Sequence, residues 1–264
     1  MKPRVIAIVP ARMASSRYPG KPMAMIRGVP MIGHCYFRTA MAKTVDETWV
    51  ATCDKVIYDY IRSAGGKAVM TKDTHERASD RAAEAMLRIE KETGQKADIV
   101  AMVQGDEPLV RPDMVDDAVK LLLDDPKCPI ACLMGLITDE SELDDPNCVK
   151  VVVDPKGRAL YFSREAIPSR KKGADMRTPR YRQVPIIPFR RDYLLRFNEL
   201  APTPLEVAES VDLMRCIEHG DVVRMAVTER VTVSVDTPAD HKKAEAVMKD
   251  DPLFPKYAAG AAAK

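Results

Sequence analysis

Short apolar runs alternate with amphipathic stretches through the first half of the chain. Val5 to Val9 is an unbroken apolar run, the pattern of a strand buried on both faces. Met31 to Ala42 has apolar residues at helical spacing, and Thr48 to Thr52 is again strand-like. Val56 to Ala64 predicts a helix stopped by Gly65-Gly66. A short strand over Lys67 to Thr71, an amphipathic helix over Ser79 to Glu92 and a strand over Ile99 to Val103 continue the rhythm. Pro112 to Asp124 closes it as a helix with proline in its first turn. Such alternation predicts an α/β fold, a mostly parallel Rossmann-like sheet with helices on both faces.

The pattern changes at Ile130. Ala131 to Ile137, Lys150 to Val153 and Ala159 to Ser163 read as strands with no helix between them, and Asp154-Pro155-Lys156-Gly157 is a turn signal. Residues 130–189 are therefore expected to be an antiparallel excursion inserted in a single domain of residues 1–250, suited to a dimerisation arm. Ser169 to Arg180 is basic and polar and predicts a mobile segment. Helices resume over Arg191 to Glu199 and Leu205 to Glu218, and a last strand over Val231 to Val235 leads into a helix over Ala239 to Lys249. Residues 251–264 end in an alanine-rich run and are expected to form a tail outside the fold.

Composition narrows the class. A net charge of +2 gives no reason to expect nucleic acid or an anionic membrane as partner. Apolar runs are strand-sized and no signal-peptide pattern is present, so a cytoplasmic protein is expected. The six cysteines are scattered without paired CxxC spacing, which suits reduced thiols. His34, His75, His219 and His241 have no ligand spacing and read as surface or core residues.

The candidate chemistry lies where strands end. After Val9 the chain enters a loop carrying Arg12, Arg17 and Lys21 among Ala14, Ser15, Ser16 and Gly20. Small side chains let backbone N–H groups approach a phosphate chain, and the cations neutralise it. The same composition also describes a solvated basic loop, and this stretch alone does not separate the two. It is neither a Walker A loop nor a GxGxxG fingerprint. Asp106 follows the apolar run IVAMV after Gln104-Gly105, and Asp236 follows VTVSV. In a parallel sheet the ends of these strands, with Asp54, share one rim with the basic loop. Two carboxylates facing a polyphosphate are a Mg²⁺ site in the making; each aspartate alone is equally a turn or cap residue.

The segments PARMASSRYPGKP, VQGDEP, ALYFSR and VDTP, in this order and spacing, resemble those of the 3-deoxy-manno-octulosonate (Kdo) cytidylyltransferases, from Val5 to about Met248. The resemblance implies a Mg²⁺-dependent, homodimeric enzyme that moves CMP from CTP to an anionic sugar-acid acceptor and releases pyrophosphate. It implies that Arg12, Lys21, Asp106 and Asp236 carry the chemistry, with Asp106 and Asp236 holding the metal. Arg12, Ser15, Arg17, Lys21, Arg77, Gln104 and Asp106 are the expected nucleotide contacts, and Arg77, Arg164, Gln183, Ile187, Asp212 and Leu213 the expected acceptor contacts.

The chain departs from that family where the acceptor would sit. Arg77-Ala78-Ser79-Asp80-Arg81 replaces a Ser-Gly-Thr-Glu/Asp-Arg segment, and Gln183, Ile187 and Leu213 stand where His, Tyr and Gln are usual. The acceptor is thus either Kdo itself or a different acid, such as another ulosonate or a phosphonate. A non-catalytic CTP-binding paralogue and an enzyme using another nucleoside triphosphate are the remaining readings.

Overall fold

The computed structural model describes residues 2–15, 17–170, 178–230 and 232–261. They form two compact units, Met1–Asp116 with Thr232–Lys264, and Asp117–Val231.

The first unit begins with β1 (Val5–Ala11), all seven residues of which are buried, so both faces of this strand are covered. A hairpin of two-residue strands, β2 (Met25–Ile26) and β3 (Val29–Pro30), leads into α1 (Met31–Thr39). Then come β4 (Glu47–Thr52), α2 (Lys55–Ser63), β5 (Ala68–Met70), α3 (Ala78–Thr93), β6 (Ile99–Val103) and α4 (Pro112–Asp124), within which the boundary between the units falls. The strands lie in the order β5-β4-β1-β6, all parallel, as the βαβ alternation requires. Helices pack around them, and the expected α/β architecture is the observed one. In such a sheet the loops after the strands gather at one rim. Here those loops follow Ala11, Thr52, Met70 and Val103.

The second unit holds β7 (Ile130–Leu136), α5 (Ser141–Asp144), β8 (Lys150–Val153), β9 (Ala159–Ser163), β10 (Tyr181–Val184), β11 (Ile186–Arg190), α6 (Arg191–Glu199), α7 (Pro204–Glu209), α8 (Leu213–Glu218) and β12 (Val223–Thr228). The antiparallel character expected after Ile130 is present in β7–β10, β10–β8 and β8–β9. The unit reaches beyond the expected excursion of 130–189, because β12 returns to pair in parallel with β7. That strand has Val223 and Met225 buried and Arg224 between them half-buried. The helical segment expected over Leu205 to Glu218 is divided at Ser210, whose φ of 52° lies in the left-handed region and ends α7. Most of the segment expected to be mobile, residues 171–177, lies outside the described residues.

Two expectations for the first unit's last stretch need correction. Residues 232–235 form no strand; Val235 instead donates a single backbone hydrogen bond to the Asp106 carbonyl, 2.9 Å. The expected start at Val231 lies outside the described residues. Beyond α9 (Pro238–Met248), the segment 251–261 is part of the fold rather than a tail, and ends in α10 (Ala258–Ala261). Tyr257 and Ala261 are buried with Val29, and Phe37, Met41 and Phe254 pack against them. Two buried polar side chains of α1 explain why. His34 lies between the Tyr257 hydroxyl (2.6 Å) and the Ile26 carbonyl (2.9 Å), and Arg38 pairs with Asp251. Without residues 251–257, His34 Nδ1 would lose its hydroxyl partner and the Arg38 charge its carboxylate. Residues 262–264 lie outside the described residues.

Candidate active site

A cavity of about 700 Å³ opens at the rim of the parallel sheet in the first unit. Arg12, Ser15, Arg17, Lys21, Arg77, Gln104, Asp106 and Asp236 all line it. The eight expected nucleotide and metal residues are therefore brought to one wall from four separate stretches of chain. Asp54 does not line the cavity; its carboxylate accepts the Met13 N–H at 2.8 Å and so holds the basic loop from behind.

Two glycines make this geometry possible. Gly20, at φ 75°, turns the loop into a single 3₁₀ turn that begins with Lys21. At Gly105 a Cβ would lie 2.5 Å from the Pro10 carbonyl oxygen. Only glycine lets the end of β6 approach the end of β1 this closely, and that approach brings Asp106 to the basic loop.

Lys21 is the hub. Its ammonium donates to Asp106 Oδ2 at 2.9 Å, to Asp236 Oδ1 at 3.1 Å and to the Val235 carbonyl at 2.9 Å. Its side chain is 13% exposed, so burial pulls its pKa down. The charges and hydrogen bonds of Asp106, then of Asp236, outweigh burial and hold the pKa above the ordinary lysine value. Arg17 adds a second cation to Asp236 Oδ1 at 2.8 Å. Both carboxylates thus aim an oxygen at one point where a positive charge sits. An oxygen-only pair of this kind, with the remaining positions left to ligand oxygens and water, matches the preference of Mg²⁺.

Three ionisable side chains on this wall are not among the expected site residues. His75, Glu76 and Arg81 also line the cavity, with the His75 carbonyl accepting from Arg12 Nη1 at 3.3 Å. His75 reads from the sequence as an ordinary surface or core residue, yet it lies in the loop after β5, one of the loops that a parallel sheet sends to this rim.

The expected acceptor residues, Arg77 apart, belong to the second unit. Arg164 donates to three backbone carbonyls, those of Glu209 (2.8 Å), Pro146 (2.6 Å) and Ser210 (3.1 Å), and clips together the chain around it. Gln183 lies in β10 with its amide nitrogen 3.7 Å from the Cys132 sulfur, and Asp212 stands at the N-cap of α8. Ile187 and Leu213 are buried core side chains, which makes them packing positions rather than polar contacts for a sugar acid.

A family profile for cytidylyltransferases matches residues 6–231. A 3-deoxy-manno-octulosonate cytidylyltransferase from Geobacter metallireducens is 43% identical over 249 residues, covering 91% of this chain and 96% of that protein. One from Pelobacter propionicus is 42% identical, covering 91% and 95%. Among solved structures, a CMP:2-keto-3-deoxy-manno-octonic acid synthetase determined in complex with CTP superposes with a TM-score of 0.85 at 38% identity, covering 93% of this chain and 98% of that one. Sequence and fold agree over nearly the full length of both partners in each comparison, and the chain is a member of the 3-deoxy-manno-octulosonate cytidylyltransferase family.

Proposed function

We propose that the protein transfers CMP from CTP to Kdo and releases pyrophosphate. The observation that carries this reading is the single cavity wall on which Arg12, Arg17, Lys21 and Arg77 meet Asp106 and Asp236, in a chain so close to relatives of that name. Arg12, Ser15, Arg17, Lys21 and Arg77 hold the triphosphate, and Gln104 faces the pyrimidine or the acceptor. The acceptor hydroxyl oxygen forms its bond to the α-phosphorus as the α–β anhydride breaks and pyrophosphate departs. The protein's task in such a step is to align the two reactants and to meet the charge that gathers on the leaving group. Asp106 and Asp236 hold Mg²⁺, which when bound neutralises the triphosphate and favours ionisation of the acceptor hydroxyl.

A different acid acceptor is not favoured. Of the residues that suggested it, Ile187 and Leu213 are buried packing positions, and the relatives carry the Kdo name. The retained carboxylate pair argues against a non-catalytic paralogue. The direct test supplies CTP, Kdo and Mg²⁺ and reads pyrophosphate release together with the mass of the conjugate. CMP-Kdo should form, with UTP, ATP and GTP giving far slower release. No conjugate at saturating Kdo, or equal rates with all four nucleotides, would overturn the reading.

Two properties of the assembly complete the proposal. A CTP-consuming biosynthetic enzyme belongs in the cytoplasm, and no helix among the described residues is long and apolar enough to cross a membrane. The protein acts as a homodimer through its second unit, whose strands expose Leu136, Leu160 and Val227. Sedimentation equilibrium should return twice the chain mass of 29.4 kDa, and a monomer at micromolar concentration would refute the dimer.

A further inference from the structure

Glu84 lies on α3 and does not line the cavity, yet it is tied to the cavity wall by a short chain of contacts. One carboxylate oxygen accepts the Lys72 N–H at 2.9 Å and meets His75 Nε2 at 2.5 Å, while the other accepts Arg88 Nε at 2.8 Å. Burial would raise its pKa, but the Lys72 N–H, His75 and Arg88 together pull it down to about 2, so it is a carboxylate at neutral pH. The His75 ring it holds belongs to the residue whose carbonyl accepts from Arg12 Nη1. Arg81, almost wholly buried, braces the same turn through the Thr71 hydroxyl and the Lys72 carbonyl (3.1 Å). The loop between β5 and α3 is therefore fixed at its start, at Thr71 and Lys72, and in its middle at His75, where Arg12 leans on it.

An arginine on a cavity wall has a long stem and many rotamers, and ordering it on ligand binding costs affinity. A carbonyl that already holds one of its N–H groups removes part of that cost and leaves the other donors for the ligand. We infer that Glu84 is a positioning residue for the donor nucleotide, acting through the His75 ring and carbonyl on the Arg12 guanidinium. The inference rests on the reading of Arg12 as a triphosphate contact. A merely structural Glu84 would staple the loop to α3 and affect folding alone.

A double-mutant cycle on CTP affinity separates these cases. Calorimetry on the full chain with CTP and Mg²⁺ should show Glu84→Ala weakening binding about 10-fold in the parent, but no more than about 2-fold in the Arg12→Ala background. Glu84→Gln keeps an oxygen acceptor for both Lys72 and His75 and should restore affinity to within about 3-fold of the parent. If Glu84→Ala does not fold, His75→Ala takes its place in the same cycle, because it removes the ring anchor and keeps the carbonyl. Equal losses in both backgrounds, or an unchanged affinity in the parent background, would overturn the inference. Failure of the underlying reading shows separately, as Arg12→Ala leaving CTP affinity intact.

Discussion

Asp106→Asn should lower CMP transfer about 10³-fold while CTP binding in the absence of added metal stays at least as tight as in the parent. The first half follows from charge. Asparagine keeps the size of the side chain and one oxygen for the Lys21 ammonium, now 2.9 Å away, but removes half of the carboxylate pair that converges there. A loss of about 4 kcal/mol in the transition state corresponds to the 10³-fold effect. The second half separates two explanations. If Asp106 served only to orient Lys21, the oxygen that asparagine keeps, with Asp236 and the Val235 carbonyl, would hold the lysine in place, and transfer and metal-free CTP binding would both stay close to the parent's. If its charge serves to hold a divalent cation, that charge repels a metal-free triphosphate, and removing it leaves binding unharmed or tighter. Single-turnover rates and metal-free titrations of the same preparation measure both. A transfer rate within about tenfold of the parent would remove Asp106 from the chemistry.

The meeting of Arg12, Lys21 and Asp106 in one cavity was legible in the sequence because strand ends in a parallel sheet share a rim. Once the runs ending near Val9 and Val103 are read as neighbouring strands, Arg12, Lys21 and Asp106 must meet, although they are far apart in the chain. Asp236 illustrates a limit of the same rule. It does reach the rim, but by one backbone hydrogen bond from Val235 to Asp106 and not as the end of a strand. Local apolar pattern cannot tell these two routes apart. His75 and Arg81 were hidden for another reason. Each acts through contacts to or from backbone carbonyls, and no side-chain motif marks where a carbonyl will point. In the second unit, strand β12 carries Arg224 inside its apolar run and so lacks the unbroken apolar pattern of β6, and the burial of Ile187 and Leu213 depends on neighbours distant in sequence. The C-terminal segment departs furthest from what its local pattern implies. Its alanine-rich end has the composition of a tail, and the residues that tie it down, Asp251 and Tyr257, have their partners on α1.

Asp251→Ala should therefore destabilise the protein by about 3–5 kcal/mol, a loss unexpected for a residue in a tail. Arg38 has a fully buried side chain and reaches Asp251 through two nitrogens, at 3.2 Å and 3.0 Å, while its Nε donates to the Val110 carbonyl at 2.6 Å. Removing the carboxylate strands a guanidinium away from water, which costs far more than the pair contributes in net terms. Replacing both partners, as in Arg38→Met with Asp251→Leu, should recover much of the loss, since nothing charged is then left buried. The pH dependence has a definite sign. Burial would raise the Asp251 pKa, but Arg38 outweighs it and holds the carboxyl below its ordinary value. A depressed folded-state pKa stabilises above the unfolded value of about 3.9 and loses that contribution as pH falls further. The stability gap between parent and Asp251→Ala, measured by urea unfolding, should thus be flat from about pH 5 to 8 and narrow below about pH 4. A gap under about 1 kcal/mol at pH 7 would show that the segment is dispensable. The same variant bears on the active site, because Val110 and Leu109, whose carbonyls Arg38 also holds, follow closely on Asp106. A stretch that holds Asp106 in place through Arg38 would, on being cut loose, lower the thermal protection that CTP and Mg²⁺ confer as well as the stability of the free protein.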